Sequence, residues 1–352
     1  MKYDLKKILI VHLGGMGDVL LSGPAIRALR IAYPSAEISM LVTSKVVPVV
    51  ENMRLADKMF VFDMCYGGVV PLAKVFRNVK AILELRRMRF DAAINMRTLV
   101  SCAGAMKVAF LLGIIRPKIR AGRDTEKRGW FFTLKASEGD LGTKYEADLD
   151  IETVGLLGAE AADKRPFLDI PQKDTEYIDA KFMELGIAGD DLLVVIHIGG
   201  MYSRRWPIEN FAGLINRLNA GFSCKVMVLA GPGEKGLLER LSRLAAGGYI
   251  TPDTDLDFCQ LAALIKRSGL FISNDTGPMH VAAILKTPQV AIFGPGDLTR
   301  FDPRNISERA VVAIKKSPCA PCNKEKCSDM ECLKALSVED VFGAAEGLLR
   351  SR

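Results

Sequence analysis

Two doubly wound α/β domains in tandem are predicted by three observations in this sequence. Short, continuously apolar runs alternate with helix-patterned stretches from Ile8 onwards, as parallel strands joined by helical crossovers require. The chain, at 352 residues, is longer than one ordinary core supports. The opening pattern also restarts. Ile8-Leu9-Ile10-Val11-His12-Leu13-Gly14-Gly15-Met16 aligns without gaps on Leu193-Val194-Val195-Ile196-His197-Ile198-Gly199-Gly200-Met201, an apolar strand running twice into His-x-Gly-Gly-Met. The expected organisation is a first domain over residues 1–170, a linker over 171–190, a second domain over 191–336 with a cysteine-rich tail, and a last helix over 337–352.

In the first domain, residues 8–13 form the opening strand, and Gly14-Gly15-Met16-Gly17-Asp18 leads into a helix patterned by Val19, Leu20, Ala25, Ile26 and Leu29. Pro34 ends it. Strands follow at 37–42 and 59–62, a basic amphipathic helix at 75–89 and a strand at 91–95. Ligands of such sheets sit at the carboxyl ends of the strands, where the 14–18 loop lies. Residues 116–135 change character: Arg116, Lys118, Arg120, Arg123, Lys127, Arg128 and Lys135 interleave with Trp130, Phe131 and Phe132. That composition fits a solvated loop, or a surface where cations meet the head groups of an anionic, lipid-linked acceptor. A helical patch at 152–157, a proline-bearing connection at 165–173 and a short helix at 177–185 complete the half.

The second domain continues with a helix at 208–218, a strand at 225–230, the turn Gly231-Pro232-Gly233-Glu234, and helices at 237–245 and 258–268. Residues 271–295 then read as strand, loop, helix, strand. Asp275-Thr276-Gly277 at the mouth of that helix offers backbone donors, the positive dipole end and a glycine open to close approach, which suits a diphosphate. His280, in the first turn, adds a donor to the same space; an ordinary cap followed by a partly buried histidine fits the same residues. Two Rossmann-like domains facing one another place a ligand cleft between them. The last helix, 338–349, is expected to be capped by Ser337 with Asp340 three residues on.

Asp18 is the candidate general base, a carboxylate after a glycine-rich turn at a helix start. A helix cap competes for the same position and lowers a carboxyl pKa. Arg204 and Arg205 follow the second Gly-Gly loop, and guanidinium forks match diphosphate oxygens. Glu234, after a strand and a glycine turn, is placed for ribose hydroxyls. The net charge of +7 suits an acidic substrate or an anionic membrane and does not itself imply nucleic acid. No apolar run reaches the roughly 18 residues of a spanning helix, and the N-terminus reads as a strand rather than a signal peptide. Eight cysteines then point to a reducing cytoplasm. Cys319-x2-Cys322-x4-Cys327-x4-Cys332 leaves reduced thiols, a disulfide, structural zinc and, less readily, an iron–sulfur set open, and no metal is assigned.

ILIVHLGGMGDVLLSGPAIRALRIAYP, HIGGMYSRRWPIENFAGLINRL, VMVLAGPGE and FISNDTGPMHVAAILKTPQVAIFGP, in that order, resemble the family 9 glycosyltransferases, among them the ADP-heptose:lipopolysaccharide heptosyltransferases. The resemblance implies a GT-B fold, a nucleotide-sugar held mainly by the C-terminal half, and inversion without a metal or other cofactor. It makes Asp18, beside Gly17, the base that deprotonates the acceptor. Arg204 falls on the lysine of the family's Lys-Arg-Trp-Pro motif and holds phosphate with Arg205, Glu234 meets the ribose, and Asp275, Thr276, Gly277 and His280 meet the diphosphate and sugar. Its implied partners are ADP-heptose and a lipid-linked glycan acceptor at the inner face of the cytoplasmic membrane, with no nucleic acid. His12 and Gly14-Gly15 depart from the commoner Arg and Ser pair, and HIGG from HPG. A nicotinamide oxidoreductase would share the fold, but 14–18 does not match GxGxxG and no acidic residue ends the second strand at Val42. A non-catalytic zinc or nucleic-acid binder would leave the double domain without a use.

Overall fold

The computed structural model describes all residues except 1, 2, 64–70, 140, 141, 232, 246, 253, 254, 323, 325 and 352, so Pro232 of the expected turn lies outside the described residues. The chain divides into two compact units, Met1–Phe167 and Leu168–Arg352.

The first unit runs β1 (Lys7–His12), α1 (Met16–Ala32), β2 (Glu37–Val42), α2 (Val47–Met53), β3 (Lys58–Val61), α3 (Leu72–Met88), β4 (Ala92–Asn95), α4 (Cys102–Ile115), β5 (Ile119–Thr125), β6 (Leu134–Gly139) and α5 (Glu146–Gly155). Its six strands are all parallel, in the order β3-β2-β1-β4-β5-β6. Ile8, Leu9, Ile10 and Val11 are buried because helices cover both faces of β1, which is why the run is apolar without alternation.

Residues 116–135 are not a plain solvated loop, although Arg116, Lys118, Lys127, Trp130 and Lys135 are exposed. β5 and the start of β6 occupy much of the stretch, Arg123 is fully buried, and Phe131 and Phe132 join the core. Gly122 permits this, since a Cβ there would overlap the Phe132 ring. Charge in the sequence signalled solvent; three buried carboxyl-bearing neighbours of Arg123 reversed that, as described below.

The second unit runs α6 (Gln172–Glu184), β7 (Leu193–His197), α7 (Ile208–Gly221), β8 (Lys225–Leu229), α8 (Lys235–Leu244), α9 (Phe258–Arg267), β9 (Leu270–Asn274), α10 (Gly277–Ile284), β10 (Gln289–Phe293), α11 (Leu298–Phe301), β11 (Ala310–Ile314), α12 (Glu331–Lys334) and α13 (Val338–Arg350). The parallel sheet is ordered β11-β10-β9-β7-β8. Residues 171–190, expected as a linker, are mostly α6. Its buried Ile178 and Phe182 lie one turn apart and the helix packs on α9, with Asp179 paired to Arg267 at 2.9 Å. Ser337 and Asp340 form the expected capping box, and α13 buries Val341, Phe342, Ala345 and Leu349 in the same core as α7.

Among the described residues no helix is long and apolar enough to cross a membrane. Among the described residues Cys102, Cys224, Cys259, Cys319, Cys322, Cys327 and Cys332 form no disulfide, and no three His, Cys, Asp or Glu side chains gather to hold a metal ion.

Candidate active site

Each sheet reverses its strand order once, and the crevice at the carboxyl ends of the strands flanking a reversal is where doubly wound sheets bind ligands. In the first unit that place lies beyond β1 and β4; in the second, beyond β7 and β9. The repeated His-x-Gly-Gly-Met segments leave β1 and β7, so each reaches such a place.

Beyond β1, Gly15 caps α1 and Asp18 is its third helical residue. The Gly15 N–H donates to Asp18 Oδ2 at 2.8 Å, so the carboxylate does serve as part of the cap. Its other oxygen contacts the guanidinium of Arg97, which leaves β4 on the far side of the reversal. Gly14 lets the loop pass between them: a Cβ there would lie 2.9 Å from Arg97 Nη1, from Asp18 Cβ and from His12 Cε1. Burial alone would raise the Asp18 pKa. The Arg97 charge, with help from His12 and the Gly15 N–H, outweighs it and holds the carboxyl at about 2. Burial also takes His12 down to about 4, against the pull of Asp18, leaving a neutral ring at neutral pH.

Behind this loop lies a buried polar network. His12 Nε2 is 2.8 Å from Ser22 Oγ, and Ser22 donates to Asp150 Oδ2 at 2.7 Å. Asp150 pairs with Arg123, which also donates to Glu146 at 2.8 Å and to Thr98 at 2.9 Å; Thr98 donates to Glu138 at 2.7 Å. One guanidinium thus serves Glu138, Glu146 and Asp150. Burial raises the Asp150 pKa, against the Arg123 charge.

Beyond β7, Gly199 and Gly200 let loops close on one another: a Cβ on Gly199 would overlap Glu234 Oε2, and one on Gly200, whose φ is +126°, would overlap Thr276 Cγ2. Glu234 accepts from the Gly200 N–H at 3.1 Å, the Gly231 N–H at 2.7 Å and Arg205 at 2.5 Å. Three of its roughly four lone-pair positions are therefore engaged. Arg205 Nε also donates to the Gly200 carbonyl at 2.6 Å. Arg204 pairs with Asp275 at 2.8 Å, at the end of β9. Thr276 caps α10, whose first turn carries Gly277 and Pro278. The structure therefore gathers Arg204, Arg205, Glu234, Asp275, Thr276 and Gly277 around the β7–β9 reversal. His280 is buried, its ring edge-on to Phe301 at 6.2 Å between centroids. His197 mirrors His12: burial lowers its pKa to about 4, with Glu234 opposing.

The sequence model of glycosyltransferase family 9 (heptosyltransferase) matches residues 79–333. The chain belongs to that family. It is 28% identical over 355 residues to lipopolysaccharide heptosyltransferase 3 of Escherichia coli (strain K12), covering 95% of each chain. A family 9 glycosyl transferase of Veillonella parvula superposes with a TM-score of 0.77 at 24% identity, covering 100% of this chain and 99% of that one. The Escherichia coli ADP-heptose lps heptosyltransferase II superposes with a TM-score of 0.71 at 18% identity, covering 98% and 99%. The protein is thus a glycosyltransferase, and the fold is GT-B, built of two Rossmann-like α/β units. In this family 9 glycosyltransferase, Arg97, His12 and the Arg123 network were missed in the sequence. Asn95-Met96-Arg97 matches no motif, and only the reversal of strand order between β1 and β4 points to it.

Proposed function

We propose that this family 9 glycosyltransferase moves a heptose from ADP-heptose onto a lipopolysaccharide core or related lipid-linked glycan, with inversion, without a metal or other cofactor. It acts in the cytoplasm, at the inner face of the cytoplasmic membrane. The observation that carries the donor half is the gathering of two arginines, Glu234 and the α10 N-terminus at the β7–β9 reversal. Similarity to lipopolysaccharide heptosyltransferase 3 and to the ADP-heptose lps heptosyltransferase II supports the sugar and acceptor class.

In this reading the diphosphate meets the N–H groups of Thr276 and Gly277 and the guanidinium charges of Arg204 and Arg205. These stabilise charge that grows as the bond from the anomeric carbon to the β-phosphate oxygen breaks. Glu234 has one acceptor position left for a ribose hydroxyl. The acceptor hydroxyl attacks from the opposite face, its new C–O bond forming as the old one breaks, and its proton passes to Asp18. With a pKa of about 2, Asp18 is always ionised at neutral pH yet weakly basic. That is enough late in the displacement, because a hydroxyl bonding to carbon becomes strongly acidic.

Thermal unfolding with ADP, UDP, GDP and NAD in turn, in EDTA, tests the donor. At about 100 times its Kd, ADP is expected to stabilise by about 2.7 kcal/mol. Asp18→Asn is then expected to lower turnover by about 10²–10⁴-fold with ADP affinity unchanged. Stabilisation by NAD alone, or loss of ADP binding in that variant, would contradict the reading.

A further inference from the structure

The outer face of α3 and α4 is built unlike a water-facing surface. Leu72, Phe76, Val79 and Leu83 recur at helical spacing along one side of α3 and stand exposed, Leu72 and Phe76 by 76% and 72%. The opposite side buries Ala81 and Leu85 in the core. α4 repeats the arrangement. Ala105, Leu111, Leu112 and Ile115 face the same core, while Met106 and Phe110 are exposed by 66% and 72%. The two helices pack side by side, and Arg86 Nη1 donates to the Ile114 carbonyl at 3.0 Å. Because both bury their inner sides in one core, both apolar stripes point outward from the sheet.

We propose that this α3–α4 face is a docking surface for an anionic lipid bilayer, into whose head-group region the apolar stripe sinks. Lys80, Arg86, Arg87 and Lys107 are exposed beside the stripe, and α3 holds Lys74, Arg77, Lys80, Arg86 and Arg87 against a single carboxylate, Glu84. An apolar stripe rimmed by cations is the pattern of a helix lying in a membrane interface. Charge selects this occupant over a second copy of the chain: face-to-face pairing would bring two cationic rims together. An exposed apolar face spread over adjacent helices also exceeds scattered surface residues. Residues 116–135, which the sequence also offered for this role, expose Trp130 and several cations but bury Phe131, Phe132 and Arg123, so they present no apolar stripe like that of α3. The inference rests on the lipid-linked acceptor only for its purpose: docking sets the first unit where such an acceptor resides.

The test is flotation of the full chain with vesicles of neutral phosphatidylcholine, or of phosphatidylcholine with about one-third phosphatidylglycerol. The wild type is expected to float with the anionic vesicles only, and to release them as salt rises. Phe76→Ser with Phe110→Ser is expected to weaken that binding by about tenfold or more, and Lys80→Glu with Arg87→Glu to remove the preference for anionic lipid. All four sites are exposed, so the melting temperature, the ADP-induced shift and transfer to a detergent-dispersed acceptor should not change. Absence of vesicle binding by the wild type, or equal binding by the variants, overturns the proposal. So does a fall from dimer to monomer in Phe76→Ser with Phe110→Ser while vesicle binding persists. A wild type that binds vesicles but shows no ADP shift would sink the donor reading and leave the docking face standing.

Discussion

Asp18 is held by two elements at once, the Gly15 cap from its own helix and Arg97 from beyond β4. The folded carboxyl titrates at about 2, below its ordinary 3.8, so the pair's contribution to stability is complete above pH 4 and lost as pH falls towards 2. A catalytic limb from Asp18 therefore lies below the range in which kcat/KM is measured. Arg97→Gln removes the cation that favours the ionised form, so the Asp18 pKa must rise. The pH profile of kcat/KM is expected to gain an acid limb displaced upwards from that of the wild type; superimposable profiles would show that Arg97 does not set the proton affinity of Asp18. Asp18 was legible because its loop carries a glycine pattern. Arg97 was not, because its role depends on which strands are neighbours.

At the scale of elements, the clearest sequence signals were strands leading into glycine loops, where burial on both faces and a sharp change of chain direction leave little alternative. α4 gave no helical stripe because it is apolar on nearly every side, including the side now exposed. α6 was half absorbed into a supposed linker because only Ile178 and Phe182 mark its inner side. β5 was concealed by Arg123, whose buried partners come from α5 and β6 and cannot be foreseen locally. The second glycine loop is a place of close approach, where Glu234 and Thr276 come against Gly199 and Gly200, rather than a spacer. Gly199→Ala is expected to push Glu234 out of its bonds to the Gly200 and Gly231 N–H groups, weakening ADP binding by roughly 1–3 kcal/mol. Calorimetric titration with ADP measures this. Wild-type affinity in the variant would mean that Glu234 does not shape the nucleotide site.

For the molecule as a whole, the repeat seen in the sequence corresponds to two interior strands, each next to its sheet's order reversal. Their terminal histidines, His12 and His197, share a fate: both are buried and both titrate at about 4 instead of 6.5. Between those values the unfolded chain binds protons that the folded units refuse, so stability falls as pH drops from 6.5 to 4. From pH 7 to 4.5 the loss is expected to be about 2–3 kcal/mol per histidine. Urea unfolding of wild type, His12→Asn and His197→Asn at the two pH values measures it. Each variant should lose less on acidification than the wild type, and identical losses would mean that the rings do not carry the linkage.

The carboxylates beside Arg204 and Arg205 also bear on how a reaction cycle ends. Cleavage of the proposed donor would leave ADP with one more negative oxygen than the sugar nucleotide had, so a site of two bare guanidiniums would grip its product harder than its substrate. Asp275 and Glu234 already share those guanidiniums, each within 2.8 Å or less, so part of their charge is taken up before a nucleotide arrives. For a donor bound there, the departing nucleotide meets competition from groups that never leave. If ADP-heptose is the donor, the pairing that looks like wasted charge in the resting protein would let the product leave.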